Sequence, residues 1–331
     1  MSVKLAKLMI ALVALADAPA TAATAVRGPC RFSAADQAWL DSSMRAWNYA
    51  SMHLSGIGHV SRIEAVIFDK NCVLTSKTAM NGGANAWASS LHGGKVELPD
   101  GTKIPAGVIS FAGSDPKKGN FFVMSTPSVW RAAGKNGKGT TLEKLMTAVM
   151  LHEGTHVAQM PTYGAEIGKL SDRYHLPQSF SDDSIQDQFK GNADFTRSVD
   201  AESELLFAAS KAKTRAEASR LVRKALAMMK ARQARWYKGK DAYLGQAEPL
   251  WLTLEGSGQW LAYTWELDPN GGRVASSAVL PGFVNDRWWS QREGFAAFMA
   301  LQRLTGSSWK RQAFHDGRLT VDQMLAAASA R

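Results

Sequence analysis

The segment His152-Glu153-Gly154-Thr155-His156 has the residue types and spacing to carry chemistry. On a helix, histidines at i and i+4 share one face, so both imidazoles can reach a single ion. Zinc takes neutral nitrogen ligands at about 2.0–2.1 Å, and such a pair supplies two of them. Glu153 is angled away from the ligand face. That position suits a general base acting on a metal-activated water, while the metal polarises a carbonyl. A catalytic zinc site takes three protein ligands, so a third residue must come from elsewhere. A histidine six residues after the second is absent, because Gln159-Met160-Pro161-Thr162 follows the pair. A carboxylate is therefore expected. Glu255, in Trp251–Trp260 (WLTLEGSGQW), is the best candidate. Glu202 and Glu204 in Asp200–Glu204 (DAESE) are nearer in sequence, and Glu293-Gly294-Phe295-Ala296 repeats the Glu-Gly pattern, so these remain alternatives.

The elements that must position these residues are legible around them. Between Leu142 and Met160 the only charges are Glu143, Lys144 and Glu153, which predicts a mostly buried helix. Thr140-Thr141-Leu142-Glu143 fits a capping box, with Thr140 as cap and Glu143 reaching back. Upstream, a first helix is predicted over 33–53. Strand signals follow at Arg62–Asp69, Cys72–Ser76, Gly107–Ala112 and Asn120–Ser125, with a hairpin turning at Pro99-Asp100-Gly101. A Gly/Lys-rich connection, Gly134–Gly139, leads into the histidine helix. Beyond it, helices are predicted over 195–236, 247–267, 284–305 and 320–330. This pattern divides the chain into a β-rich lobe, 26–160, ending in the histidine helix, and a helical lobe, 161–331, carrying the third ligand. Gly256 and Gly258 remove bulk beside Glu255, which would let its helix approach the histidine helix closely. The apolar neighbours Trp251, Leu252, Leu254 and Trp260 imply a buried carboxylate, for which a metal is a good partner.

With these residues in place, the chain resembles the gluzincin metallopeptidases, and most nearly the peptidase MA-like branch, whose second helix often reads Trp-Leu-x-Glu-Gly-(Leu/Phe)-Ala-x-Tyr. The likeness covers roughly 141–160 and 247–266, with a weaker one at Glu293–Leu304 (EGFAAFMALQRL). The resemblance implies an α+β, zincin-like fold, a zinc cofactor and a peptide or protein substrate. It maps His152, His156 and Glu255 onto the metal ligands and Glu153 onto the catalytic base. It also implies that substrate lies antiparallel to an edge strand before the active helix, here Asn120–Ser125. An oxyanion donor is expected as well, with Tyr263, Tyr243 and His175 as candidates. No Gly-x-Met-Glu-Asn sequence of the kind that anchors a free amino terminus is present, which favours internal cleavage. The chain departs from the pattern at Ser257-Gly258, where Leu/Phe-Ala is usual. The long separation of His156 from Glu255 also requires a helical insertion.

Composition sets the frame. The 331 residues carry 39 Lys+Arg against 29 Asp+Glu, and 11 Trp and 13 Phe at 21% charged residues exclude a disordered chain. Two cysteines exclude a disulfide-rich scaffold and a Cys-rich zinc module. Residues 1–25 read as an export signal: Lys4 and Lys7, the apolar run Leu8–Ala16, then Ala23-Thr24-Ala25. That run is far short of the roughly 20 residues that span a bilayer. The expectation is a secreted or periplasmic protein with no transmembrane segment. Export makes Cys30 and Cys72 a disulfide candidate, although two buried thiols fit the sequence as well. Between Lys211 and Lys240 stand eleven Lys/Arg and one acid, Glu217. With Leu221, Val222, Ala225, Leu226 and Met229 at helical spacing, this reads as a basic amphipathic helix. Such a helix could meet an anionic envelope polymer or lipid surface; no specific nucleic-acid module is present. A second function is therefore kept: a non-catalytic zinc-containing envelope protein docking through 211–240.

Overall fold

Five strands build a mixed sheet in the order β3-β2-β1-β7-β6. They are β1 (Glu64–Phe68), β2 (Cys72–Ser76), β3 (Ala88–Leu91), β6 (Ser110–Asp115) and β7 (Gly119–Ser125). The pair β4 (Lys95–Glu97) and β5 (Lys103–Pro105) forms a separate hairpin through the foreseen Pro99–Gly101 turn. The computed structural model describes residues 30–58, 64–76, 87–115, 117, 119–137, 139–177 and 179–330. The expected export segment lies outside them. β1 and β7 run parallel, and every other neighbouring pair is antiparallel.

Strand periodicity sorts the sheet into two faces. Ala65 and Ile67 of β1, with Phe122 and Met124 of β7, join the main core. Val66, Phe68, Phe121 and Val123 point the other way, where Val96 and Leu98 of the hairpin cover them. A disulfide between Cys30 and Cys72, with Cα atoms 5.6 Å apart, ties the chain ahead of α1 (Ala34–Tyr49) to β2.

The short α2 (Pro127–Ala132) precedes α3 (Leu142–Gln159), which carries both histidines and packs on α1 and β6. Helix α8 (Leu244–Leu267) lies against α3, and α10 (Trp289–Thr305) against α8. The stack continues outward through α6 (Ala193–Ser210) and α7 (Arg215–Trp236), and α11 (Val321–Ser329) closes on α7 and α10. One core cluster runs from Phe32 to Ala328, so the halves 26–160 and 161–331 share it. The result is a mixed α/β fold with a helical C-terminal part. Among the described residues no helix is long and apolar enough to cross a membrane.

Several sequence expectations shift. The cap of α3 is Thr141, whose hydroxyl accepts from the Lys144 N–H at 3.2 Å. Starting the helix one residue later leaves Glu143 unable to reach back, and its carboxylate pairs with Arg131 instead. The predicted 195–236 helix is two, α6 and α7. The break comes where Thr214 caps α7 by accepting from the Glu217 N–H. The predicted 284–305 helix begins later, as α10 at Trp289 behind a loop at 285–288, and α9 (Ser276–Val284) precedes that loop without having been expected. α4 (Ala165–Tyr174) and α5 (Ser184–Phe189) had no clear sequence signal. Between α3 and α4 the chain widens into a π-helical turn, Met160–Gly164, at Pro161, which has no N–H to donate. The expected edge strand is also corrected: Asn120–Ser125 belongs to β7, an interior strand, and the sheet edge beside α3 is β6.

Candidate metal centre

His152 and His156 stand one turn apart on the buried face of α3, and α8 brings Glu255 to them across a sequence gap of 103 residues. Nε2 of His152 lies 3.1 Å from Glu255 Oε2, and Nε2 of His156 lies 3.2 Å from Glu255 Oε1. The two Nε2 atoms are 2.7 Å apart, with ring planes at 89°. His152 is 4% exposed, and His156, Glu255 and Glu153 are 0% exposed.

Two glycines of α8 make this convergence possible, each in its own direction. A Cβ on Gly258 would sit 2.8 Å from His152 Nδ1, so the ring rests directly on the α8 backbone. Gly256 faces away from α3: its Cβ would meet the Gly294 carbonyl carbon at 2.4 Å, where α10 crosses α8 backbone to backbone. The expectation that both glycines serve the histidine helix holds for Gly258 alone. Ser257 bonds Gln159 at the end of α3, accepting from Nε2 at 3.0 Å. Gln159 also donates to the Ala313 carbonyl at 2.9 Å. Ser257 thus pins α8 to α3 while Gly258 lets the two helices close up.

Charge is unevenly satisfied here. Burial opposes the negative charge of Glu255, but His156 and His152 outweigh it and hold the carboxyl well below the usual range. Burial pushes Glu153 up to about 7; His152 lowers it and the charge of Glu255 adds to the rise. Ser110 and Ala112 of β6 also lower it, which places the sheet edge beside this residue. Neither reaches hydrogen-bonding geometry, and both Glu153 oxygens, Glu255 Oε1 and His156 Nδ1 are buried without a hydrogen bond.

The donor set fits a metal ion. Three ligand atoms from His152, His156 and Glu255 lie within 4.8 Å of one another, the one such group among the described residues. A tetrahedral ion with bonds of about 2.0–2.1 Å keeps its ligands roughly 3.3 Å apart, close to the two histidine–carboxylate separations. The two nitrogens, 2.7 Å apart, would part by about 0.6 Å. A buried carboxylate oxygen with no hydrogen-bond donor is what a cation would satisfy.

The alternative ligands are elsewhere. Glu202 and Glu248 hold the buried Arg232 at 2.7 Å each, Glu293 lies 3.9 Å from the same guanidinium, and Glu204 is exposed. The oxyanion candidates are not assembled with the triad. The Tyr263 hydroxyl bonds Ser276 Oγ at 2.8 Å, Tyr243 packs on Tyr174 and Phe180, and His175 is exposed. Two residues that sequence reasoning passed over, Asp182 and Asp183, are buried within the field of Glu255. Burial first, and then that charge, pushes both up, Asp183 to about 7. Their signal was an acidic pair in an otherwise unmarked loop.

The basic segment is only partly a solvated face. Arg215 donates to the Leu304 and Ala328 carbonyls and Arg223 to Ser329, so these arginines hold the end of the chain. Arg232 is buried, and Arg235 pairs with Asp194 while lying over Trp236. No protein-family model, curated protein or solved structure matches the chain.

Proposed function

We propose that this protein is an exported, zinc-dependent peptidase of zincin type that cuts internal peptide bonds. The observation that carries the reading is the meeting of His152, His156 and Glu255 from two helices, with an unpartnered Glu153 beside them. His152, His156 and Glu255 would hold zinc, which when bound supplies the Lewis acidity that activates water and polarises a carbonyl. Glu153 takes the proton that the attacking water loses and passes it to the leaving nitrogen. Burial raises its proton affinity into the range where it can do both near neutral pH. Strand β6 offers its outer backbone groups to an extended substrate, and Ser110 and Ala112 bring that edge beside Glu153.

One observation favours the second reading, a zinc-containing envelope protein without turnover. All four site residues are at most 4% exposed, as in a structural metal site. A peptide-library digest separates the two. The zinc-loaded wild type should cut internal bonds, and Glu153→Gln should lose cleavage while keeping its zinc. A zinc-loaded wild type that cuts nothing would sink the peptidase reading and favour the metal-containing binding protein.

A further inference from the structure

Net charge is concentrated in one part of this molecule. The chain carries +10, and the segment 211–240, with eleven Lys/Arg against Glu217, holds all of it, so the remaining residues balance. Most of the segment is α7, which has two distinct faces. Val222, Ala225, Leu226 and Met229 join the main core, where α7 packs on α6, α10 and α11. The opposite face presents Arg220, Arg223, Lys224, Lys230 and Arg235, all exposed. Between them stand Ala216, Ala227, Ala231 and Ala234. Lys211 and Lys213 extend the row at one end, and Lys238 and Lys240 at the other. With 22 residues in the helix, the row is a straight line of charge about 33 Å long.

Little within the protein neutralises that line. Arg235 pairs with Asp194 at 3.0 Å, and Arg223 donates to the Ser329 carbonyl at 2.6 Å. Arg220, Lys224 and Lys230 form no ion pair among the described residues. Glu217 accepts from the Lys213 N–H at 3.2 Å, at the start of the helix. Arg220 and Lys224 stand one turn apart, where like charges repel and weaken the helix. The bordering helices do not widen the positive charge. α6 has Arg197 against Asp194, Asp200, Glu202 and Glu204, and α11 has Asp322 alone. The result is a single basic row between two acidic helices.

We propose that the outer face of α7 is a docking surface for an acidic polysaccharide chain lying along the helix. The shape of the charge selects among polyanions. A bilayer is a plane, and pressing it onto α7 would bring the exposed Asp194 and Glu204 of α6 against anionic headgroups. The apolar face that an interfacial helix would insert is already buried in the core. Nucleic acid repeats its phosphates about every 3.4 Å along each strand, and its unpaired bases seek aromatic platforms. Arg220, Lys224, Lys230 and Arg235 instead recur at four to six residues, roughly 6–9 Å, with alanines between them. An acidic glycan with a carboxylate on each sugar or each second sugar repeats its charge at that wider interval. α7 is the outermost layer of the stack, with α10 and α8 between it and α3. A chain bound there does not cover the metal centre, and the proposal stands apart from the peptidase reading.

The test is binding. Fluorescently labelled polygalacturonate is titrated with the purified chain and followed by anisotropy. The wild type should bind at low salt and weaken at least ~10-fold at about 0.15 M salt, where exposed charges are screened. The triple variant Arg220→Ala, Lys224→Ala, Lys230→Ala should lose at least ~10-fold in affinity at low salt, a difference of about 1.4 kcal/mol. A second triple variant, Arg45→Ala, Lys70→Ala, Lys117→Ala, removes the same charge from exposed positions elsewhere and should lose less than about threefold. All six side chains are exposed, and equal unfolding midpoints check that both variants keep the fold. No binding of polygalacturonate at low salt, or equal losses in the two variants, would overturn the proposal. Tighter binding through the same row to phosphatidylglycerol vesicles or to a single-stranded oligonucleotide would also overturn it, and would assign the face to lipid or nucleic acid instead.

Discussion

Two buried polar clusters lie along α8, and they are finished to different degrees. Around Arg232 the guanidinium donates to Glu202 through Nε and Nη2 and to Glu248 through Nη1, and the Tyr237 hydroxyl donates to Glu248 at 2.9 Å. Nearly every group there has a partner, Glu293 Oε1 being the exception. Around Glu255 the balance is reversed, with both oxygens of Glu153, one of Glu255 and one histidine nitrogen unpartnered. Burial is equally deep in both. A polar cluster that satisfies itself serves the fold, whereas one left open where nothing else demands polarity is fitted to something that arrives from outside.

The largest effect should separate the clusters outright. Arg232→Met strands three buried carboxylates and should cost about 3–5 kcal/mol in urea unfolding. In metal-free protein, His156→Ala should cost much less. Equal losses would erase the distinction. Next, zinc at a hundredfold excess over its dissociation constant should stabilise the wild type by about 2.7 kcal/mol. A chelator should remove that gain, and His156→Ala should show none of it.

The glycines sharpen the same contrast. Gly256→Ala drives a Cβ into the Gly294 backbone and should cost about 1–3 kcal/mol, read as a lower unfolding midpoint. Gly258→Ala presses on the His152 ring instead, so its main effect should be zinc affinity weakened roughly 10-fold. If both variants lose stability and neither loses zinc, the two glycines do not have separate tasks.

A buried acid outside both clusters gives the smallest effect. Burial raises Glu266 to about 7 against an ordinary value of 4.5, with Lys144 opposing. The folded state then holds a proton that the unfolded state releases. Stability is therefore full below about pH 4.5 and falls as pH rises towards 7. Glu266→Gln escapes that loss, so it should be more stable than wild type by about 1–2 kcal/mol at pH 8, with the gap closing by pH 4.5. A gap independent of pH would show that Glu266 does not titrate in this way.

The histidine helix and the Glu255 helix were legible because each signal was local: an i, i+4 pair on an apolar stretch, and a carboxylate among tryptophans and glycines. Cys72–Ser76 was legible for the same reason and spans β2 without change. What failed depended on choices between near-equal local signals or on tertiary neighbours. Thr140 and Thr141 are both good caps, and only the helix start decides between them. Strand order cannot be read from strand content, so β7 was mistaken for the edge that β6 forms. Asp182 and Asp183 escaped notice because an acid in a loop is ordinarily solvated, and only the fold brings them under the charge of Glu255. Glu202 and Glu293 looked like ligand candidates until Arg232 was seen to hold the first and lie beside the second.

The central claim, that the open cluster is a metal centre, is tested most directly by zinc content measured by mass spectrometry on the purified chain. The account predicts about one zinc per chain in the wild type and in Glu153→Gln, with none in His156→Ala or Glu255→Ala. A wild type that holds no zinc even after zinc is added, or a Glu255→Ala variant that keeps it, would contradict the account.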